Sequence, residues 1–185
     1  RRNWSGLVPV PGDGRYEWDG YLPIQAKPHV FNPAEGYFAT ANNDLVPRDY
    51  EFMDAVGYSW SDPYRWLRLV EVLGSGRRFS MADMMRLQTD ELSIPARQLV
   101  PMLEEIAVPD NRTLRAKNLL LEWDFVMDKN SEAAGLYAAW EAEIRRAVRA
   151  AAVPEGAGIN LSLRKTIERV MVPPGEFGVD PMAAR

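Results

Sequence analysis

The spacing of apolar and polar residues changes near residue 60. Before that point the apolar stretches are short, and prolines at positions 9, 11, 23, 28, 33 and 47 interrupt them. This pattern is typical of strands and turns. Residues 4–10 and 36–41 are the best strand candidates, and the second is rich in β-favouring side chains. Residues 32–36 predict a turn, which would leave Asn42 and Asn43 at the end of the second strand, where side chains can project into a cleft.

After residue 60 the apolar positions recur at helical spacing. Ser61 or Asp62 would cap a first helix that ends at Gly74, and Ser80 with Asp83 forms the pattern of a capping box. Further helices are predicted over residues 95–106, 112–123, 132–151 and 160–172.

Strands followed by a block of helices predict an α+β fold, or a helical insertion in a larger sheet. Two or three strands need other structure to cover their apolar face. We therefore expect the first 50 residues to be marginal on their own.

Composition narrows the class of protein. The chain has 185 residues, of which 46% are hydrophobic, so it can furnish a sizeable core. Its 22 basic and 26 acidic residues give a net charge of -4 without a basic stripe, which argues against nucleic acid as a partner. No apolar run has the roughly 20 residues that span a bilayer. Cysteine is absent and His29 is the single histidine, so hydrolytic chemistry would need another base, such as an N-terminal amine.

One tract, from Gly14 to Asn43, carries a specific resemblance. Its characteristic residues are Trp18, Gly20, Pro23, Pro28, Asn32-Pro33, Gly36-Tyr37 and Asn42-Asn43. On these residues the chain resembles the large subunit of the penicillin acylase family, the N-terminal-nucleophile hydrolases of linear amides. A weaker likeness continues through most of the chain. The resemblance implies an αββα core, with residues 1–58 as a strand-rich part of that core, residues 59–172 as a helical insertion and residues 173–185 as an exit tail.

The resemblance also implies a mechanism. In that family the nucleophile is the first residue of the subunit, usually serine, and its own α-amino group is the base. Here the first residue is Arg1, so the expectation is that other chain supplies the nucleophile. Asn42 occupies the place of the asparagine whose amide faces the reacting carbonyl oxygen. The alternative is that Asn42 and Asn43 end a strand because asparagine favours turns.

Other residues follow from the same comparison. Arg65 matches an active-site arginine, which would order the site or meet a substrate carboxylate, although a solvated helix arginine is the common case. The pocket assignment comes from the aromatic residues themselves and not from the resemblance. Aromatic side chains crowd the approach to Arg65 and would line a hydrophobic substrate pocket, or anchor the helices to the sheet; they include Tyr58, Trp60 and Trp66. Asp54 would be one ligand of a structural calcium, with no cofactor needed for catalysis.

Partners and location follow from the resemblance alone. It implies the rest of the large subunit and the small subunit as partners, a small-molecule amide as substrate, and a periplasmic or extracellular location. The charge and the short apolar runs described above separately argue against nucleic acid and membrane as partners. An alternative from another class is a noncatalytic helical interaction module. Solution behaviour discriminates between them, because an internal segment should associate through exposed apolar surface whereas an independent module should unfold cooperatively as a monomer.

Overall fold

The computed structural model describes residue 4, residues 8–57 and residues 59–171. Contacts within the chain divide it into two compact units, Arg1–Arg77 and Arg78–Arg185. The predicted domain boundaries at residues 58 and 172 stay predictions, and both fall on positions outside the described residues.

The described residues of the first unit contain little regular structure. Its elements are a short 3-10 helix, Ile24–Ala26, the one-turn helix α1, Met53–Val56, and the helix α2, Tyr64–Leu73. A long-range hydrogen bond joins the Tyr50 hydroxyl to the carbonyl oxygen of Ala26 at 2.7 Å. Turns and loops therefore form most of this unit.

The predicted αββα strands are wrong. Residues 36–41 and the described part of residues 4–10 contain no strand, and the described residues contain no more sheet than one isolated antiparallel bridge, between Leu92 and Val126. A strand exists only where a neighbour completes its hydrogen bonds, and the extended residues here have no such neighbour. The proline spacing correctly indicated an extended, turn-rich segment, but not pairing.

The described residues of the second unit are mainly helical. They form α3 (Met81–Gln88), α4 (Ile94–Leu99), a 3-10 helix (Val100–Glu105), α5 (Asn111–Leu121), α6 (Glu132–Ala152) and α7 (Leu163–Met171). The predicted capping box is confirmed, since the Ser80 side chain accepts from the Asp83 N–H and the Asp83 carboxylate accepts from the Ser80 N–H. At the start of α5 the Asp110 side chain accepts from the Arg112 and Thr113 N–H groups, and at the start of α6 the Ser131 side chain accepts from the Ala134 N–H. These polar caps satisfy N–H groups that no helical carbonyl can reach.

The core of the described residues lies mainly in this second unit. Buried apolar side chains come from α4 and the 3-10 helix that follows it, from α5, α6 and α7, and from Trp123. The rings of Trp123 and Tyr137 lie 5.4 Å apart, and Tyr137 is almost fully buried. Helices that follow one another closely along the chain can pack their apolar faces against each other and so bury these side chains.

The first unit instead leaves large apolar side chains in solvent. Tyr21 is 97% exposed, Phe31 87% and Ile24 75%. Scattered exposed apolar residues are normal, but several on one short stretch of chain form an apolar surface that the other described residues do not cover.

Candidate functional site

The best-defined cluster of polar contacts in the first unit surrounds Asn42. This residue has a φ of 61°, in the left-handed region that asparagine tolerates better than most residues. Its carbonyl oxygen accepts a hydrogen bond from the Ser61 N–H at 2.8 Å. The predicted cap of α2 is therefore wrong: Pro63 occupies that place without a side-chain bond, while the Ser61 backbone holds Asn42.

Asn43 is buried and forms hydrogen bonds within the same turn. It is 4% exposed and is one of two buried polar residues in the described chain. Its Oδ1 accepts from the Ala41 N–H at 3.1 Å, and its Nδ2 donates to the Asp44 carbonyl at 3.1 Å. Both bonds are within the turn, so the Asn43 amide ties together the residues on either side of Asn42.

Arg65 reaches this turn from α2. One guanidinium nitrogen, Nη2, donates to the carbonyl oxygen of Ala41 at 3.0 Å and to Oδ1 of Asn42 at 2.8 Å. The sequence named Asn42 and Arg65 separately, 23 residues apart, and the structure brings them into contact.

This contact fixes the orientation of the Asn42 amide. A guanidinium can only donate, so the atom of Asn42 that faces Arg65 must be the oxygen. The amide nitrogen then lies on the other branch of the side chain. Asn42 is exposed, and among the described residues its amide N–H groups have no acceptor. The contact therefore leaves the N–H groups of the Asn42 amide directed away from Arg65.

The chemistry of this cluster is electrostatic. A neutral amide and a guanidinium do not exchange protons near neutral pH, but an oriented N–H can stabilise charge that develops on an oxygen. Lowered pKa values are found elsewhere: a hydrogen bond from the Arg15 side chain lowers the pKa of Asp13, and a hydrogen bond from the Thr113 N–H lowers the pKa of Asp110.

The structure describes two of the three predicted pocket residues. Tyr58 lies outside the described residues. Trp60 is 38% exposed and Trp66 is half-buried on α2. Their assignment to a substrate pocket stays a prediction.

A cleft of about 580 Å³ lies elsewhere in the first unit. Trp18, Gly20, Tyr21, Leu22, Lys27 and Ala55 line it. Trp18 and Gly20 belong to the motif that drew attention to this tract, but the sequence did not indicate that they share a cleft.

Asp54 as a calcium ligand also stays a prediction. It lies on α1. Calcium takes six to eight oxygen ligands, whereas no group of three or more acidic or histidine side chains comes together anywhere in the described part of the chain. These residues do not make a calcium site by themselves.

Sequence reasoning placed Asn43 beside Asn42 at the end of a strand and did not predict its hydrogen bonds. In the structure Asn43 is buried, and its amide is bonded within the turn. The signal was the Asn-Asn pair itself, because a second amide directly after a left-handed asparagine can satisfy the N–H and carbonyl groups that the turn removes from regular pairing.

Comparisons with known proteins identify the family. The family model described as penicillin amidase matches residues 1–181. The chain is 35% identical over 150 residues to penicillin acylase 2 proenzyme of Pseudomonas sp. (strain SE83), an alignment that covers 79% of this chain and 19% of that protein. It is 38% identical over 105 residues to the acyl-homoserine lactone acylase QuiP of Pseudomonas fluorescens (strain Pf0-1), covering 56% of this chain and 12% of that protein.

A third relative is penicillin G acylase of Escherichia coli, 32% identical over 100 residues, covering 52% of this chain and 12% of that protein. The chain belongs to the penicillin amidase family. It corresponds to a fifth or less of the length of these relatives. None of the helices in the described residues combines the length and apolar character that crossing a membrane requires.

Proposed function

We propose that this chain is a segment of an amidohydrolase of the penicillin amidase family, in which Asn42 stabilises the oxyanion of the reaction. The observation that carries the proposal is the hydrogen bond from Arg65 Nη2 to Asn42 Oδ1 at 2.8 Å, because it fixes an exposed amide with its N–H groups available. An oxyanion donor must be oriented before the charge develops, and this contact provides that orientation.

In the proposed reaction the nucleophile is a terminal serine from chain outside these residues. Its hydroxyl oxygen bonds to the amide carbonyl carbon, its proton passes to the serine's own α-amino group, and the carbonyl π electrons move onto the oxygen. Asn42 Nδ2 donates to that oxygen. The tetrahedral intermediate collapses as the carbon–nitrogen bond breaks, and the amine leaves with the proton. Water then hydrolyses the acyl-enzyme.

The substrate class follows from what the relatives have in common. Two are named penicillin acylases and one an acyl-homoserine lactone acylase. Removal of an acyl group from an amine is shared by those names, so we propose an N-acylated small molecule as substrate.

The remaining polypeptide of the same precursor is the proposed partner, as the rest of the large subunit and the small subunit. The exposed apolar residues of the first unit support this, because Tyr21, Ile24 and Phe31 need a cover that the described residues do not supply. We further propose a periplasmic or extracellular location, and Asp54 as one ligand of a structural calcium completed by that other chain.

The test is the chain composition and activity of the complete parent protein. Intact mass and amino-terminal sequencing should give two chains, the larger beginning with serine, and the purified protein should hydrolyse an acyl amide. A single uncleaved chain without amidase activity would contradict the proposal and favour a noncatalytic interaction module.

A further inference from the structure

Asn43 is not needed to explain the reaction proposed above, yet it is among the most buried polar side chains described. Burying an amide is costly unless its donor and acceptor are both satisfied. Here both partners belong to the turn that contains Asn42, namely the Ala41 N–H and the Asp44 carbonyl. The buried Asn43 amide is therefore satisfied only while the turn keeps its present conformation.

The contacts around Asn42 divide into three kinds. Ser61 holds its backbone carbonyl, Arg65 holds its side-chain oxygen, and Asn43 bridges the backbone on either side of it. Arg65 also donates to the Ala41 carbonyl, while Asn43 accepts from the Ala41 N–H. Ala41 is thereby held on both sides of its backbone, and it is itself buried.

A left-handed asparagine has other conformations open to it. The left-handed region costs most residues roughly 1–2 kcal/mol relative to the right-handed one, and asparagine less. Without bonds that close the turn, the backbone at Asn42 could return to φ below zero and carry the amide away from its position. The Asn43 bonds oppose this change.

We infer that Asn43 is a positioning residue for the oxyanion donor: its buried amide locks the turn that holds Asn42 in the left-handed conformation. This inference rests on the proposed function of Asn42. Asn43 does not touch the substrate in this mechanism and acts through Asn42 alone. Its removal should lower kcat and leave KM nearly unchanged, because the donor acts mainly on the transition state.

The experiment is a double-mutant cycle in the complete parent protein, with kcat expressed per correctly processed molecule. Asn42→Gly removes the amide and keeps a residue that accepts φ above zero. Asn43→Ala removes both turn bonds. Misplacing a catalytic group by about 1 Å can cost about 10²-fold in rate, so we expect Asn43→Ala to lower kcat by about 10- to 10²-fold.

The decisive result is whether the effects of the two substitutions on kcat are coupled. If Asn43 acts through Asn42, the double variant should be within about threefold of Asn42→Gly, because the donor is already gone. If the two losses multiply, Asn43 acts independently and the inference is overturned. An Asn43→Ala enzyme within threefold of wild type overturns it as well.

A matched control separates positioning from general destabilisation. Thr166 is the other buried polar residue described, and its hydroxyl donates to the Ser162 carbonyl at 3.0 Å within the second unit. Thr166→Val should reduce the melting temperature without changing kcat. If Asn43→Ala is not recovered folded, Asn43→Ser, which keeps an acceptor oxygen, replaces it in the same cycle. Coupling with Asn42→Gly then supports the inference, and additive losses overturn it.

The cycle also distinguishes the failure of this inference from the failure of the proposed function. If Asn42→Gly itself has nearly wild-type kcat, the oxyanion role fails. If Asn42→Gly is strongly impaired while Asn43→Ala is not, the oxyanion role stands and the positioning role fails.

Discussion

Replacement of Arg65 by alanine in the complete parent protein is the most informative perturbation of the site. Arg65 Nη2 is occupied by two protein oxygens, the Ala41 carbonyl and Asn42 Oδ1. Its role in the proposed mechanism is to orient the Asn42 amide. Alanine removes both bonds and leaves Asn42 in place, so the donor is present but free to turn.

The expected loss has a lower and an upper limit. Releasing one immobilised polar side chain returns roughly 0.5–1.5 kcal/mol of rotamer freedom, which corresponds to a loss of about 2- to 10-fold in rate. Complete removal of an oxyanion donor costs about 10²- to 10³-fold in kcat. Because Arg65 also holds the Ala41 backbone, we expect Arg65→Ala to reduce kcat by about 10- to 10²-fold, less than Asn42→Gly does.

The assay is steady-state hydrolysis of an acyl amide by purified, correctly processed enzyme. KM should change by less than about threefold, since Arg65 already donates to protein oxygens. Arg65→Lys should retain part of the activity, because both bonds come from the single nitrogen Nη2 and an ammonium can donate to more than one oxygen, although the lysine side chain does not place its nitrogen at the same position. Arg68→Ala is the matched control on the same helix: Arg68 pairs with Glu71 at 2.9 Å, and its removal should leave kcat unchanged.

Two results would refute this reasoning. A kcat within threefold of wild type would show that Asn42 needs no orientation by Arg65. A large increase in KM with unchanged kcat would show instead that Arg65 binds a substrate carboxylate, the alternative that its sequence position left open.

Further predictions concern stability and association. Ser80→Ala should destabilise α3 by about 1 kcal/mol through loss of the capping box, detectable by urea unfolding. Ser75→Ala is the control, because Ser75 bonds the end of α2 through its backbone N–H, which alanine keeps. The pKa of Asp110 is lowered, first by the hydrogen bond from the Thr113 N–H, so this carboxylate stabilises the folded chain above the ordinary carboxyl pKa of 3.8. The stabilisation disappears as pH falls through the lowered pKa. Asp110→Asn should therefore lose less stability on acidification than wild type, and an equal loss would contradict the assignment. The isolated chain should self-associate and bind a hydrophobic dye through its exposed apolar residues. The double variant Tyr21→Ser, Phe31→Ser should bind less dye. A monomeric chain that binds no dye would favour an independent module.

The helical half could be predicted from the sequence because its determinants are local. The Ser80 and Asp83 capping box and the apolar spacing within α6 act over a few residues, and the structure contains both. The end of α2 at Gly74 follows similarly, since a methyl group there would lie 2.7 Å from the Val70 carbonyl oxygen.

The first half could not be predicted in the same way because pairing is not local. Residues 36–41 have the composition of a strand, but composition does not supply the neighbouring backbone that a ladder requires. The candidate site likewise has a part that the sequence predicts and a part that it does not. Asn42 and Arg65 could be named from the family motif, whereas the bonds of Asn43 within the turn depend on a backbone conformation at Asn42 that no spacing rule specifies.

The most direct test of the central claim is kcat of Asn42→Gly in the complete, processed parent protein with saturating acyl amide. Glycine keeps the left-handed backbone available and removes the whole side-chain amide, both the proposed N–H donor and the oxygen that Arg65 bonds. The proposed mechanism predicts a loss of about 10²- to 10³-fold with KM nearly unchanged. A kcat within a few-fold of wild type would remove Asn42 from the mechanism.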